Sequence, residues 1–233
     1  MLLQLDGVEA GYGQLQVLHG ISLEVGAGEV VALIGANGAG KTTTLLTISG
    51  LLRPQAGSIR FDEREISGLA PHEITRLGLV QVPEGRQLFA GLTVMENLTM
   101  GAYARSNGRA RRLEEVFELF PILQDRRTQI AGTMSGGQQQ QVAIGRALMA
   151  EPKLLMLDEP SLGLDPITTA NVFSVVSRIR EMRVAVLIVE QNAVHTLRLA
   201  DRGYVLESGQ VALQGKASDL LANPGLRSAY LGL

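Results

Sequence analysis

Val30-Val31-Ala32-Leu33-Ile34-Gly35-Ala36-Asn37-Gly38-Ala39-Gly40-Lys41-Thr42 joins an unbroken apolar run to a loop with three glycines and a lysine. The apolar run, rich in β-branched residues, reads as a strand buried on both faces. The loop fits the pattern G-x-x-x-x-G-K-[ST]. Its glycines let the backbone curl so that successive N–H groups point inward at a β-phosphate. Lys41 adds a point charge near the β- and γ-phosphates, and the Thr42 hydroxyl is suited to ligate Mg²⁺. From Thr43 to Ile48 the chain opens a helix whose positive end faces the same anion. Only three lysines occur in the chain, and one of them stands here. Gly35, Ala36, Asn37, Gly38, Ala39, Gly40, Lys41, Thr42 and Thr43 are therefore the candidate phosphate contacts.

Outward from this stretch, Leu154 to Leu157 and Val184 to Val189 repeat the buried-strand signal. Between them Val172, Val175, Val176 and Ile179 recur at helical spacing, the stripe of a helix packed on the sheet. This predicts a strand–helix–strand unit with a right-handed crossover. Leu3-Gln4-Leu5-Asp6 and Ile21-Ser22-Leu23-Glu24-Val25 alternate instead, as half-buried antiparallel strands do. Tyr204 to Glu207 and Val211 to Gln214 flank Ser208-Gly209-Gln210, a hairpin signal. From Gln87 to Ala150 the strand signal vanishes, and Leu113, Val116, Phe117 and Phe120 form a helical stripe stopped by Pro121. Arg105 to Arg112 reads as a solvated loop and helix start. The expected fold is α/β with a mixed, mostly parallel sheet, an N-terminal antiparallel β subdomain and an inserted helical subdomain. All of it is one domain: residues 1–86 and 151–233 form the core, and residues 87–150 the helical insertion.

Composition bounds the function. The chain has 233 residues, 45% of them hydrophobic and 19% charged, with a net charge of −2. That is a globular composition without the bulk positive charge of a nucleic-acid-coating protein, so no nucleic-acid partner is expected. Cysteine is absent, which removes thiolate metal sites and cysteine nucleophiles together. No apolar stretch reaches the length needed to span a bilayer. Asp6 and Glu9 interrupt the N-terminus where a signal peptide would be apolar. The expectation is a cytosolic chain that reaches a membrane only by binding something already there.

Two further segments carry chemistry. Leu154-Leu155-Met156-Leu157-Asp158-Glu159 is a buried strand ending in two carboxylates, which places them at the carboxyl edge where ligands of open α/β sheets bind. Asp158 is suited to hold Mg²⁺, and Glu159 to accept a proton from the water that attacks a γ-phosphate. Met134-Ser135-Gly136-Gly137-Gln138 opens a helix through Met149 and offers a hydroxyl and free N–H groups to a second anion. On local grounds an N-cap with a flexible turn explains it equally well. Two phosphate-cradling helix starts are odd for one nucleotide.

The Gly35–Thr42 loop, the Ser135-Gly136-Gly137-Gln138 element and Leu154–Glu159 resemble, in order and spacing, the ATP-binding cassette (ABC) ATPases. The resemblance implies a P-loop, RecA-like core that takes ATP and Mg²⁺. It also implies head-to-tail pairing, with each ATP held between one chain's phosphate loop and the partner's Ser135, Gly136, Gly137 and Gln138. By the same resemblance Tyr12, between Gly11 and Gly13, stacks on adenine. Gln81, in Leu79-Val80-Gln81-Val82-Pro83, is similar to the glutamine that reaches metal and attacking water. Asp165, closing Ser161-Leu162-Gly163-Leu164-Asp165, faces the opposite subunit, and before Pro166 it is also a good helix N-cap. Gln191 stands where most of the superfamily places a histidine, and an amide carries neither proton nor charge as imidazole does. His195, one helical turn later, is expected to pack or be solvated.

Pro83-Glu84-Gly85-Arg86, Gly132 to Gly137, Ser161 to Leu164, Val189-Glu190-Gln191-Asn192-Ala193, Ala200 to Glu207 and Ser228-Ala229-Tyr230-Leu231-Gly232 together resemble the smaller ATPase subunit of branched-chain amino acid importers. Asp165 departs from that subgroup, which often has alanine there. The resemblance implies ATP hydrolysis powering uptake of leucine, isoleucine or valine from the cytoplasmic face of the inner membrane. It implies a second ATPase subunit in a heterodimer (a homodimer being the alternative), two permease subunits docked near Gln81 to Leu98, and indirectly an extracytoplasmic binding protein. Nothing in the chain touches cargo, so the same role for urea, an amide or another small solute is the alternative reading. A soluble cassette acting on DNA or ribosomes would carry insertions absent from this sequence.

Overall fold

The structure, a computed structural model, describes residues 1–104 and 107–226. Arg105 and the quoted Ser228 to Gly232 lie outside the described residues. Strand β1 (Leu3–Tyr12) pairs antiparallel with β2 (Leu15–Val25), Leu3 opposite Val25 and Leu5 opposite Leu23. The strand read at Leu3–Asp6 runs on to Tyr12, its buried face changing phase at a register shift after Leu5 where Gly7 adopts φ +56°, and Gly13 at φ +60° begins the reversal. After β3 (Val30–Gly35) and helix α1 (Lys41–Ile48) come β4 (Ala56–Phe61), the short β5 (Arg64–Glu65), α2 (Pro71–Leu77) and β6 (Leu79–Val82).

The next stretch is helical: α3 (Val94–Gly101), α4 (Arg109–Leu119), α5 (Pro121–Asp125) and α6 (Gly136–Leu148). Pro121 ends α4 and then starts α5 as its first residue, where its missing N–H costs nothing. The chain closes with β7 (Leu154–Asp158), α7 (Pro166–Glu181), β8 (Ala185–Glu190), α8 (Ala193–Leu199), β9 (Arg202–Glu207), β10 (Gln210–Lys216) and α9 (Ala217–Ala222).

Two sheets result. The antiparallel one has the order β2-β1-β4-β5, and the other runs β10-β9-β3-β8-β7-β6, parallel except for the edge strand β10. Central β3 shows why the opening run is apolar throughout. Val30, Ala32 and Ile34 enter a core shared with helices α3 to α9, whereas Val31 and Leu33 enter a second core under the antiparallel sheet, α1 and α2. The α7 stripe is as expected, with Val172, Val175, Val176 and Ile179 all buried.

Two expectations need correction. The hairpin turn is two residues, not three: Ser208 and Gly209 adopt φ +47° and +75°, and Gln210 already pairs with Glu207. Right-handed strand twist favours this primed turn, which requires positive φ at both positions. Arg112 is not solvated but 2% exposed; its guanidinium donates to the Asn107 carbonyl at 2.7 Å and meets Glu151 Oε2 at 3.4 Å. A guanidinium is tolerated inside when such acceptors surround it. No helix among the described residues is long and apolar enough to cross a membrane.

Because β6, β7, β8 and β3 run parallel, their carboxyl ends lie along one edge. That edge gathers Gly35, Asp158 and Glu190.

Candidate active site

At the end of β3 the loop turns with Gly38 at φ +81° and Gly40 at φ +104°, conformations that a side chain would strain. Gly35 is needed for another reason: a Cβ there would lie 2.5 Å from the Leu206 carbonyl oxygen of β9. Gly209, in the hairpin turn, donates its N–H to the Ala39 carbonyl at 2.9 Å, so the hairpin buttresses the loop. Gly40 is the N-cap of α1 and supplies no side-chain acceptor, so the first-turn N–H groups of the helix have no side-chain cap. Lys41 is 4% exposed. Its ammonium donates to the carbonyls of Gly35 and Ala36 at 3.0 and 3.1 Å and pairs with Glu159 Oε1 at 3.2 Å.

The β7 carboxylates differ sharply in setting. Asp158 is 2% exposed and accepts from the Thr42 hydroxyl at 3.3 Å. Burial pushes its carboxyl up to about 6; the Thr42 hydrogen bond opposes this, and the charges of Glu159 and Glu84 add to it. Glu159 adopts φ +44°, rare for a residue with a side chain, and this turns the chain off the strand beside Lys41. Thr42 and Asp158 offer hard oxygens that fit Mg²⁺. No cluster of three His, Cys, Asp or Glu side chains among the described residues could hold a metal. That donor set suits a metal which takes one or two protein oxygens and completes its shell with water and phosphate.

The structure brings no described hydrogen bond between Gln81 and Thr42 or Asp158. Gln81 pairs with Met156, two residues short of Asp158, and its buried Oε1 has no hydrogen-bond partner. It lines a cleft of about 480 Å³ with Val80, Pro83, Phe89, Tyr103 and Arg146. On this side of the sheet it is Glu84, beyond the end of β6, whose charge reaches Asp158, alongside those of Glu159 and Lys41. The sequence names it only within Pro83-Glu84-Gly85-Arg86, with no role at the site.

Ser135 caps α6, accepting from the Gln138 N–H while Gln138 Oε1 accepts from the Ser135 N–H, a reciprocal capping box. No described hydrogen bond or ion pair joins Ser135, Gly136, Gly137 or Gln138 to the phosphate loop of the same chain. Arg86 lies against this helix start: its Nη1 donates to Gln139 Oε1 at 3.3 Å, and its Nη2 is 3.1 Å from where a Gly136 Cβ would be. Asp165 caps α7 as expected, accepting from Ile167 and Thr168, and the Thr168 hydroxyl holds it in place. Thr168 also presses on Gly137, where a Cβ would lie 2.3 Å from its methyl. Tyr12, 49% exposed at the tip of β1, presents its ring to solvent.

The sequence pattern of the family described as ABC transporter matches residues 18–162. The chain belongs to the ABC transporter family. Within the family it is 50% identical over 232 residues to the high-affinity branched-chain amino acid transport ATP-binding protein BraG of Pseudomonas aeruginosa, covering 99% of this chain and all of that one. It is 34% identical to the lipopolysaccharide export system ATP-binding protein LptB of Escherichia coli, over 95% of this chain and 93% of that one. Among solved structures it resembles an ATP-binding cassette of an ABC transporter in its ADP conformation, with a TM-score of 0.89, 28% identity and coverage of 100% and 99%.

At the end of β8 an acid and two amides, Glu190, Gln191 and Asn192, follow one another. Glu190 is buried and accepts from the Ser161 N–H at 3.0 Å, whereas Gln191 is exposed. Both line a cleft of about 670 Å³ with Glu159, Ser161 and His195. His195 is exposed with its ring centroid 6.0 Å from that of Phe173, and Asn192 caps α8. Glu190 and Gly209 were within reach of sequence reading only as a strand end and a turn; their partners lie far away in the chain.

Proposed function

We propose that this chain is the ATP-binding and ATP-hydrolysing subunit of an importer for branched-chain amino acids, working with membrane permease subunits. The observation that carries the reading is the 50% identity with BraG across nearly the whole of both chains. The LptB likeness at 34% belongs to an exporter of a different cargo, so the family alone leaves cargo open.

The residues divide the work. Backbone N–H groups from Gly38 to Thr43 and the Lys41 ammonium bind the β- and γ-phosphates and neutralise their charge in place, which is the larger part of catalysis of this kind. Thr42 and Asp158 would hold Mg²⁺, with Gln81 as the further candidate ligand that the family resemblance implies. When bound, the metal supplies further neutralisation of phosphate oxygens. Glu159 orients the attacking water and takes its proton, Gln191 donates an amide hydrogen bond to phosphate, and Tyr12 stacks on the base. Ser135, Gly136, Gly137 and Gln138 close over the ATP of a second ATPase subunit, a related chain or another copy, which accounts for two phosphate-cradling helix starts in one chain. Asp165 and its loop face that subunit. Permease subunits dock in the cleft lined by Phe89, Met100 and Tyr103, exposed apolar side chains beside Gln81. The chain thus sits peripherally on the membrane.

The test is reconstitution in vesicles with permease and binding protein. ATP-dependent uptake of leucine, isoleucine or valine is expected. Uptake of urea or an amide instead would replace the cargo, and no ATP hydrolysis by the full assembly would end the reading.

A further inference from the structure

Resting on the reading that Glu159 takes the water's proton, we propose that Glu190 is a positioning residue for hydrolysis, its carboxylate holding the Ser161 N–H and so fixing the backbone that aims Glu159. Strand β7 ends at Asp158, and the next three residues, Glu159-Pro160-Ser161, leave the sheet. Glu159 is held at φ +44°, a conformation that persists only where its surroundings over-determine it. Pro160 has no N–H, so the segment has just two backbone donors with which to anchor itself. The first, from Glu159, goes to the Val189 carbonyl of β8 at 2.9 Å. The second, from Ser161, goes to Glu190 Oε1 at 3.0 Å. Both anchors are thus adjacent residues at the end of β8, and one of them is a side chain.

That side chain is expensive to keep where it is. Glu190 is 3% exposed, and burial raises its carboxyl above the usual range, with the Glu159 charge adding to the effect and the Ser161 contact opposing it. An apolar residue would complete the buried strand at no such cost. What the carboxylate contributes is an acceptor at the distance the Ser161 N–H requires. The following turn is built on the same two residues, with Leu162 N–H bonded to the Glu159 carbonyl and Leu164 N–H to that of Ser161, each at 3.1 Å. Glu190 therefore governs both the aim of Glu159 and the origin of the loop that ends at Asp165.

The experiment uses the assembled transporter and compares Glu190→Ala, Glu190→Gln and Glu159→Gln with wild type in kcat, KM for ATP and melting temperature. Glu190→Ala is expected to lower kcat by about 10²-fold, the scale of a small misplacement of a reacting group, with KM for ATP unchanged. Glu190→Gln, whose amide oxygen accepts the same hydrogen bond, is expected to restore most of kcat. If Glu190→Ala does not fold, Glu190→Leu, which fills the volume without an acceptor, is read in its place. Wild-type kcat in the Ala or Leu variant overturns the proposal, as does a Gln variant as slow as Ala, or a loss of kcat matched by a rise in KM. An active wild type with an inactive Glu159→Gln keeps the hydrolytic reading standing whatever Glu190 does. An inactive wild type, or a fully active Glu159→Gln, sinks that reading and this one with it.

Discussion

Lys41 Nζ stands 3.2 Å from Glu159 Oε1, so the cation proposed to grip phosphate and the carboxylate proposed to activate water are paired with each other. On the proposed function, incoming triphosphate takes Lys41 over and leaves Glu159 to the water. Glu159→Gln should slow hydrolysis by roughly 10²–10⁴ and tighten ATP binding, because Lys41 no longer has to be drawn from an anion. Phosphate release in the assembled complex and nucleotide titration of the chain check the two halves. Wild-type turnover would remove Glu159 from the base role.

Asp158 makes the nucleotide-free protein sensitive to pH. Its carboxyl titrates at about 6 in the fold against an ordinary 3.8. Between those values the folded state binds more protons than the unfolded one, so stability falls as pH rises through the window and is level above it. The loss amounts to about 3 kcal/mol at roughly 1.4 kcal/mol per pH unit, and buried Glu190 pushes in the same direction. Asp158→Asn should therefore melt higher than wild type at pH 7.5 without nucleotide and show a shallower decline from pH 4 to 6. Mg²⁺-ATP should protect wild type by mass action and protect the variant far less.

Gly35→Ala tests the junction of strand and loop. The added methyl would sit 2.5 Å from the Leu206 carbonyl oxygen and 3.1 Å from the Ala39 methyl, and backbone in a paired strand cannot step aside cheaply. A loss of about 1–3 kcal/mol is expected in denaturant unfolding, together with weaker ATP binding. Gly38→Ala meets no atom within 4 Å, so its cost is limited to the left-handed backbone, about 1–2 kcal/mol.

Gln191 is exposed in the cleft it shares with Glu159, leaving room for an imidazole. Gln191→His should retain ATPase activity in the assembled complex. Complete loss would assign the amide a specific role that an imidazole cannot fill.

The parts of the site that were legible beforehand are those written in contiguous residues. The phosphate loop, the Asp158–Glu159 pair, the Ser135 cap and the Asp165-Pro166 helix start each announce themselves within a few positions, because backbone conformation and capping are local. The stripe on α7 was legible because its period is. What escaped depends on register between distant strands. Gln81 and Glu84 both stand near a strand end, and only the pairing of Val82 with Leu157 puts Glu84 just past the sheet, where its charge reaches Asp158. Strand β4 escaped for want of pattern, since only Ile59 and Phe61 of its six residues are buried. Arg112 was misjudged because its acceptors, Asn107 and Glu151, include one from the loop that follows α6. A basic cluster looks solvated until such a partner is folded onto it.

The contact between Gly137 and Thr168 has a consequence for anyone who would graft or redesign this chain. With only 2.3 Å between a prospective Cβ and the threonine methyl, positions 137 and 168 are interlocked like a key and its ward. A swap at one demands trimming at the other, and the two should be inherited as a matched couple wherever this architecture is reused.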